Sequence, residues 1–206
     1  CYAKLIDVDS LQAYMSNVLD IPFDDMDGNS QTLRKLGGSS TDTWLVVNVA
    51  SACGMTKQYA DLQQASTEHG LLVVGFPCNQ FGHQCHEKDF ELLNTLKYVR
   101  PGDGYAPKFQ LMTKSVVNGD EQEALWTFLK DSIPYPCDDR GGTGSDFIYK
   151  TQPNDKPIQW SPVRRNDVSW NFEKFLIDKE GVPFKRYSPK FENKDIVPDI
   201  DSLLNK

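Results

Sequence analysis

The residues best suited to chemistry are a cysteine and three uncharged hydrogen-bond donors. Cys53 follows the apolar run Trp44-Leu-Val-Val-Asn-Val-Ala and precedes Gly54-Met-Thr and a stretch of helix formers. This spacing puts its thiol where a buried strand turns into a helix. Backbone N–H groups at a helix start lack partners and carry partial positive charge, so a thiol there ionises more readily, and the thiolate is the reactive form. Thr56 holds the third place after Cys53, where a dithiol turn would carry a second cysteine, so internal exchange through this turn is excluded. A lone thiolate suits attack on a peroxide or on an external disulfide. In the first case the sulfur takes one oxygen and the other leaves as alkoxide or hydroxide, which needs a proton. The sulfenic acid formed is then reduced by an outside thiol. Gln80, Trp170 and Asn171 offer neutral N–H groups that could hold a thiolate and orient a peroxide.

These groups need a scaffold. Residues 44–50 and 71–76 read as short buried strands, with a helix over 55–69 between them that stops at Gly70. Strand, helix and strand at this spacing make a right-handed βαβ unit with parallel strands. Cys53 and the loop over residues 78–82 then leave the same edge of the sheet, where α/β proteins place their sites. Further on, residues 86–99 read as a helix with Phe90, Leu93 and Leu96 on one face. Residues 109–112 form a short strand and 120–129 a helix, with Asp120 as N-cap and Glu123 three residues on. Residues 170–177 and 182–187 are expected to form an antiparallel pair around a turn at 178–181. A last helix over 195–204 shows Ile196, Ile200, Leu203 and Leu204 on its apolar face. Before the central strand, a short helix is expected within residues 1–20 and a hairpin over 21–36, turning at Asp24-Asp-Met-Asp-Gly. Residues 132–155, rich in Pro, Gly, Asp and Thr, read as a long inserted arm.

The 206 residues fit one domain, with no internal repeat. A net charge of −7 argues against a nucleic-acid or anionic-membrane partner, and no run is apolar enough to span a bilayer. The five cysteines have no CxxC spacing, and the three histidines lack a second group of ligands at zinc spacing, so no metal is expected. Cys78 is expected to pack under its loop, and Cys1 with Cys137 is a candidate disulfide in a secreted setting.

Three motifs in order, Asn48-Val-Ala-Ser-Ala-Cys-Gly-Met-Thr, Gly75-Phe-Pro-Cys-Asn-Gln-Phe-Gly and Trp170-Asn-Phe-Glu-Lys-Phe-Leu, resemble those of glutathione peroxidases. The resemblance runs from about residue 10 to the C-terminus. It implies a single thioredoxin-like α/β domain over residues 1–206, a central mixed sheet flanked by helices, with the arm as an inserted oligomerisation loop. It implies reduction of hydrogen peroxide and organic hydroperoxides by a tetrad that falls on Cys53, Gln80, Trp170 and Asn171. No cofactor is implied beyond glutathione as reducing co-substrate. The arm, Tyr98-Val-Arg-Pro-Gly and Trp160-Ser-Pro-Val-Arg-Arg-Asn-Asp-Val are similar to the tetrameric branch, which implies a homotetramer. By alignment Arg100, Lys185 and Arg186 meet glutathione's carboxylates, and Lys57 partly replaces an arginine of the helix after the nucleophile. The spacing Cys53-Gly-Met-Thr-Lys-Gln-Tyr59 looks like the plasma type and points to secretion, with the cytoplasm as alternative. Tetrameric members usually carry selenocysteine where Cys53 stands, so slower turnover is expected. Thioredoxin-using members place a resolving cysteine where Lys97 stands here. A thioredoxin-dependent peroxidase resolving through Cys85, or a thiol sensor handing its oxidised sulfur to a protein partner, are the competing readings.

Overall fold

A computed structural model describes residues 17–138 and 157–204. Its first elements are a 3-10 turn, Val18–Asp20, and a two-stranded antiparallel pair, β1 (Phe23–Asp24) and β2 (Ser30–Gln31). The expected N-terminal helix otherwise lies outside the described residues. The hairpin forms, but it stops at Gln31. Residues 33–37 are a short helix instead, α1 (Leu33–Gly37), because the Thr32 side chain accepts from the Lys35 N–H and starts a helical turn.

The central run becomes β3 (Trp44–Val49). Then come α2 (Gln58–His69), β4 (Leu72–Pro77), α3 (Asp89–Tyr98), β5 (Gln110–Leu111), α4 (Ala124–Ser132), β6 (Lys174–Ile177), β7 (Pro183–Tyr187) and α5 (Val197–Leu204). The main sheet has five strands in the order β5-β4-β3-β6-β7. β3 pairs in parallel with β4 and antiparallel with β6, so the sheet is mixed. β5 comes close enough to β4 that a Cβ on Gly75 would sit 2.7 Å from Leu111 Cδ2, so any side chain there would push Leu111 aside.

All six residues of β3 are buried, which requires cover on both faces of the sheet. Side chains alternate. Trp44 and Val46 join one apolar cluster with β1's Phe23 and α4's Leu125, Trp126 and Leu129. Leu45, Val47 and Val49 join another with α2's Tyr59 and Leu62, α3's Leu92 and Leu96, and α5's Ile200 and Leu203.

Four expectations about helices need correction. The helix after Cys53 begins at Gln58, and residues 53–57 are turns closed by Thr56 N to Cys53 O and Gln58 N to Met55 O. On α3 the buried positions are Leu92 and Leu96, spaced i, i+4, while Phe90 and Leu93 face outward at 72% and 47% exposure. α4 starts after Glu123, whose carboxylate accepts from the Ser115 hydroxyl and the Val116 N–H; no Asp120 cap forms. The last helix is preceded by a 3-10 turn, Asn193–Ile196, and Leu204 is exposed. Of the arm, residues 139–155 lie outside the described residues.

Candidate active site

Cys53 lies four residues beyond the end of β3, at the C-terminal edge of the parallel pair, and is 2% exposed. Its sulfur accepts from the Met55 N–H at 3.5 Å. Because α2 starts only at Gln58, this turn amide, rather than the end of a helix, is the donor set against the sulfur. Arg100 reaches the Cys53 carbonyl at 3.4 Å from the start of the loop after α3.

Gln80 sits on the loop after β4, the loop expected to leave the same sheet edge. Its amide is clamped at both ends. Oε1 accepts from the N–H groups of Val117 and Asn118 at 2.9 and 3.0 Å, and Nε2 donates to the Asn118 carbonyl at 2.9 Å. One Nε2 hydrogen is left over. Asn118 is in turn fixed to Val168 by two side-chain bonds of 2.9 Å each. Behind it the Lys130 ammonium donates to the Val117 carbonyl, the Asn118 side chain and Asp167. Asp167 also accepts from the Trp160 indole at 2.8 Å. Burial lowers the Lys130 pKa, and its carboxylate partner opposes that shift. The loop that holds Gln80 and the segment that leads to Trp170 are thus tied to one buried cation.

Trp170 and Asn171 lie in the turn before β6. Asn48, the one polar side chain of β3, holds that turn. Its Nδ2 donates to the Trp170 carbonyl, its Oδ1 accepts from Glu173 N–H, and its backbone carbonyl accepts from Phe172 N–H at 2.6 Å. Phe172 has φ 69°, a left-handed conformation rare for a bulky residue, and these bonds over-determine it. The Glu173 carboxylate takes the Ser169 N–H and hydroxyl on one oxygen and Arg186 on the other. The Trp170 ring meets Phe81 edge-on, with centroids 5.7 Å apart. Asn171 donates from Nδ2 to Gln84 Oε1 at 2.9 Å, and its own Oδ1 is buried with no hydrogen bond within the protein.

The four residues therefore come from three segments that hydrogen bonds draw together. Ala52 N–H donates to the Gln84 carbonyl at 2.9 Å, joining the nucleophile turn to the Gln80 loop, and Gln84's side chain joins that loop to Asn171. Asn48, Gln84, Asn118 and Lys130 are supporting residues that motif reading did not single out. Only Asn48 carried a signal, as the sole polar side chain in a buried run.

The expected glutathione contacts divide. Lys57 is exposed and lines a groove of about 450 Å³ between α2 and residues 190–197, together with Met55, Lys190 and Lys194. Arg100 is exposed beside the nucleophile turn. Lys185 is ion-paired with Asp199 and its side chain is 38% exposed. Arg186 must be withdrawn from a surface role. It is 1% exposed, paired with Glu173, and donates to the carbonyls of Ile133, Pro134, Asn166 and Asp167.

Among the other thiols, burial pushes Cys78 up to about 12 and Cys85 up to about 11, so both stay protonated at neutral pH. Cys78 packs under its loop as expected; Cys137 is exposed and has no disulfide partner among the described residues, and its candidate partner Cys1 lies outside them. No cluster of three metal-ligating side chains occurs among the described residues.

A mixed sheet covered by helices on both faces, with a thiol where the central strand gives way to a helix, defines a thioredoxin-like α/β protein. The solved structures agree. GPX1 of T. cruzi aligns at a TM-score of 0.58 with 25% identity over 92% of this chain and 97% of that one, and Trgpx in its apo form at 0.59 with 27% identity over 93% and 97%. A family model for glutathione peroxidase matches residues 18–130. Glutathione peroxidase 1 of Rattus norvegicus is 49% identical over 175 residues, 83% of each chain. Glutathione peroxidase 2 of Mus musculus is 52% identical over 163 residues, 78% of this chain and 82% of that one. The chain belongs to the glutathione peroxidase family.

Proposed function

We propose that this family member reduces hydrogen peroxide and organic hydroperoxides with glutathione, through Cys53. The Cys53 thiolate attacks one peroxide oxygen. The O–O bond breaks, the sulfur is oxidised to sulfenic acid, and the other oxygen leaves as alcohol or water once a proton reaches it. One glutathione then condenses with the sulfenic acid, releasing water and leaving a mixed disulfide. A second glutathione attacks the glutathione sulfur of that disulfide, which breaks the bond to Cys53, releases glutathione disulfide and restores the Cys53 thiolate.

The supporting observation is that three segments, the Cys53 turn, the Gln80 loop and the Trp170-Asn171 turn, are drawn together by the hydrogen bonds of Gln84, Asn48 and Asn118. Glutathione carries two carboxylates, and the groove that begins at Met55 and Lys57 is also lined by Lys190 and by Lys194, which pairs with Glu192, with Asp61 and Glu68 on its α2 side. Arg100 lies on the other side of the turn, and Lys185 would first have to leave Asp199.

Cys53→Ser is expected to abolish glutathione-coupled peroxidase turnover with the melting temperature unchanged. Substantial residual turnover would overturn the assignment. A coupled assay comparing glutathione with thioredoxin settles the donor. The second donor would require Cys85, which lies in the same apolar cluster as Cys53 but is kept protonated by burial, to act as resolver. If that thiol resolves the sulfenic acid, mass spectrometry after peroxide shows a Cys53–Cys85 disulfide; otherwise it shows a glutathione adduct on Cys53.

The arm's resemblance to the tetrameric branch also supports a homotetramer, and the plasma-type spacing after Cys53 supports secretion, with the cytoplasm as alternative. Light scattering showing a monomer would remove the assembly part of this reading.

A further inference from the structure

Gln84 is the residue at which the nucleophile turn and the Asn171 turn meet. Its backbone carbonyl accepts from the Ala52 N–H at 2.9 Å and from the Ser51 hydroxyl at 3.5 Å. Its side-chain oxygen accepts from Asn171 Nδ2 at 2.9 Å. The loop is shaped for this. His83 takes φ 55°, and the next N–H, that of Cys85, is tied back to Asn79 Oδ1 at 3.1 Å. The backbone at Gln84 is thus held on both sides while its side chain, half-buried, reaches Asn171.

An amide has a donor end and an acceptor end, and what grips one end decides which way the other faces. Gln84 grips the donor end of Asn171. The acceptor end, Oδ1, is left buried without a hydrogen bond in the protein. Buried acceptors are nearly always satisfied, and an exception inside a reactive centre is where a ligand's donor is expected. The hydroperoxide O–H and the sulfenic acid S–OH are both such donors.

We propose that Gln84 is a positioning residue for the peroxidase reaction: it fixes the rotation of the Asn171 amide against the Cys53 turn and leaves Asn171 Oδ1 as an acceptor for the O–H of the reacting group. The proposal rests on the reading of Cys53 and Asn171 as parts of one peroxidase site. It adds an acceptor role for Asn171 to the donor role expected from sequence, since one Nδ2 hydrogen remains beyond the bond to Gln84. Gln84 itself does not touch the reacting atoms; it acts through Asn171.

The test is a double-mutant cycle on the full chain, read as kcat/KM for hydrogen peroxide. Gln84→Met keeps the length of the side chain and removes the acceptor. It is expected to lower kcat/KM roughly 10–100-fold, the usual effect of removing an outer partner of a site residue. Asn171→Ala is expected to lose at least as much. The double variant is expected to fall no further than Asn171→Ala alone, because Gln84 works only through that amide. Losses that multiply overturn the proposal while leaving the peroxidase reading intact. Full activity in Asn171→Ala removes the peroxidase role of Asn171 and the proposal with it. Gln84→Glu separates orientation from folding, and carries the test if Gln84→Met does not fold. The carboxylate still accepts from Nδ2 but adds a negative charge beside the nucleophile turn. It is expected to keep most activity and to move the pH midpoint of Cys53 alkylation upward. A loss as large as that of Gln84→Met with an unmoved midpoint would overturn the proposal.

Discussion

The two faces of the sheet treat their buried polar groups differently. On the face carrying Trp126, Phe81 and Trp170, the polar groups close on one another. The Trp126 indole donates to Ser115, Ser115 to Glu123, the Trp160 indole to Asp167, and Lys130 to Asp167, Asn118 and Val117. On the face carrying Cys53, Cys85 and Tyr59, several end without partners in the protein: the Tyr59 hydroxyl, both Glu87 oxygens and Gln58 Oε1. Burial and the nearby Cys85, Tyr105, Glu87 and Cys53 hold the Tyr59 hydroxyl protonated. Satisfied networks fix geometry, whereas unpaired buried groups cost stability and tend to collect where function needs them. The first face is the frame that holds Gln80 and Trp170. The second is where the reactive sulfur lies.

Perturbing each face in turn should break or sharpen this contrast. The largest effect is expected from Lys130→Met on the bonded face. It leaves Asp167 buried without its cation, so urea denaturation should show a loss of about 3–5 kcal/mol. A loss below about 1 kcal/mol would mean the network is not what holds that face.

A smaller, graded effect is expected from pH on the other face. Burial lowers the Lys174 pKa from 10.5 to about 7, against the pull of Glu173, Asp138 and Asp61. Between about pH 7 and 10.5 the unfolded chain then binds more protons at this site than the folded one. Stability should therefore rise with pH from 7, by up to about 1.4 kcal/mol per unit. Cys78 and Cys85 act the opposite way above their ordinary value of 9.0, because only the folded state keeps those thiols protonated there. The denaturation midpoint should accordingly rise from pH 7 to about 9 and then fall, and Lys174→Met should flatten the rising limb. A midpoint that falls steadily from pH 7 would refute the direction.

The smallest effect is expected from Tyr59→Phe. Removing a buried hydroxyl without a partner should leave stability unchanged or raise it by up to about 1 kcal/mol. A loss greater than that would show that the hydroxyl is bonded, and the difference between the faces would shrink.

Much of the frame could be read directly from the residues. β3, β4 and the helix between them were legible because a six-residue run buried on both sides leaves few alternatives. The inner face of α3 was not. Phe90, Leu93 and Leu96 suggest a stripe, yet burial follows Leu92 and Leu96, because the sheet reaches only one side of the helix. The start of α2 was placed too early, since nothing in Met55-Thr-Lys distinguishes turns from a first helical turn. Cys53, Gln80, Trp170 and Asn171 were singled out by their motifs, and hydrogen bonds draw their segments together. Their supports were not singled out, because partners such as Gln84 and Asn171, 87 residues apart, or Asn48 and Glu173, 125 apart, leave no mark on local spacing. Lys130 on an amphipathic helix reads as a solvated charge, and Arg186 as a surface cation. Both are core residues only because Asp167 and Glu173 arrive from elsewhere in the chain.

Asn48 ties the strand that delivers the sulfur to a turn 122 positions further along, a stretch that takes roughly 6–25 s to synthesise. For that interval the nascent thiol lacks the Trp170-Asn171 turn. The sulfur therefore acquires its full surroundings late, when the C-terminal hairpin docks beside the central strand.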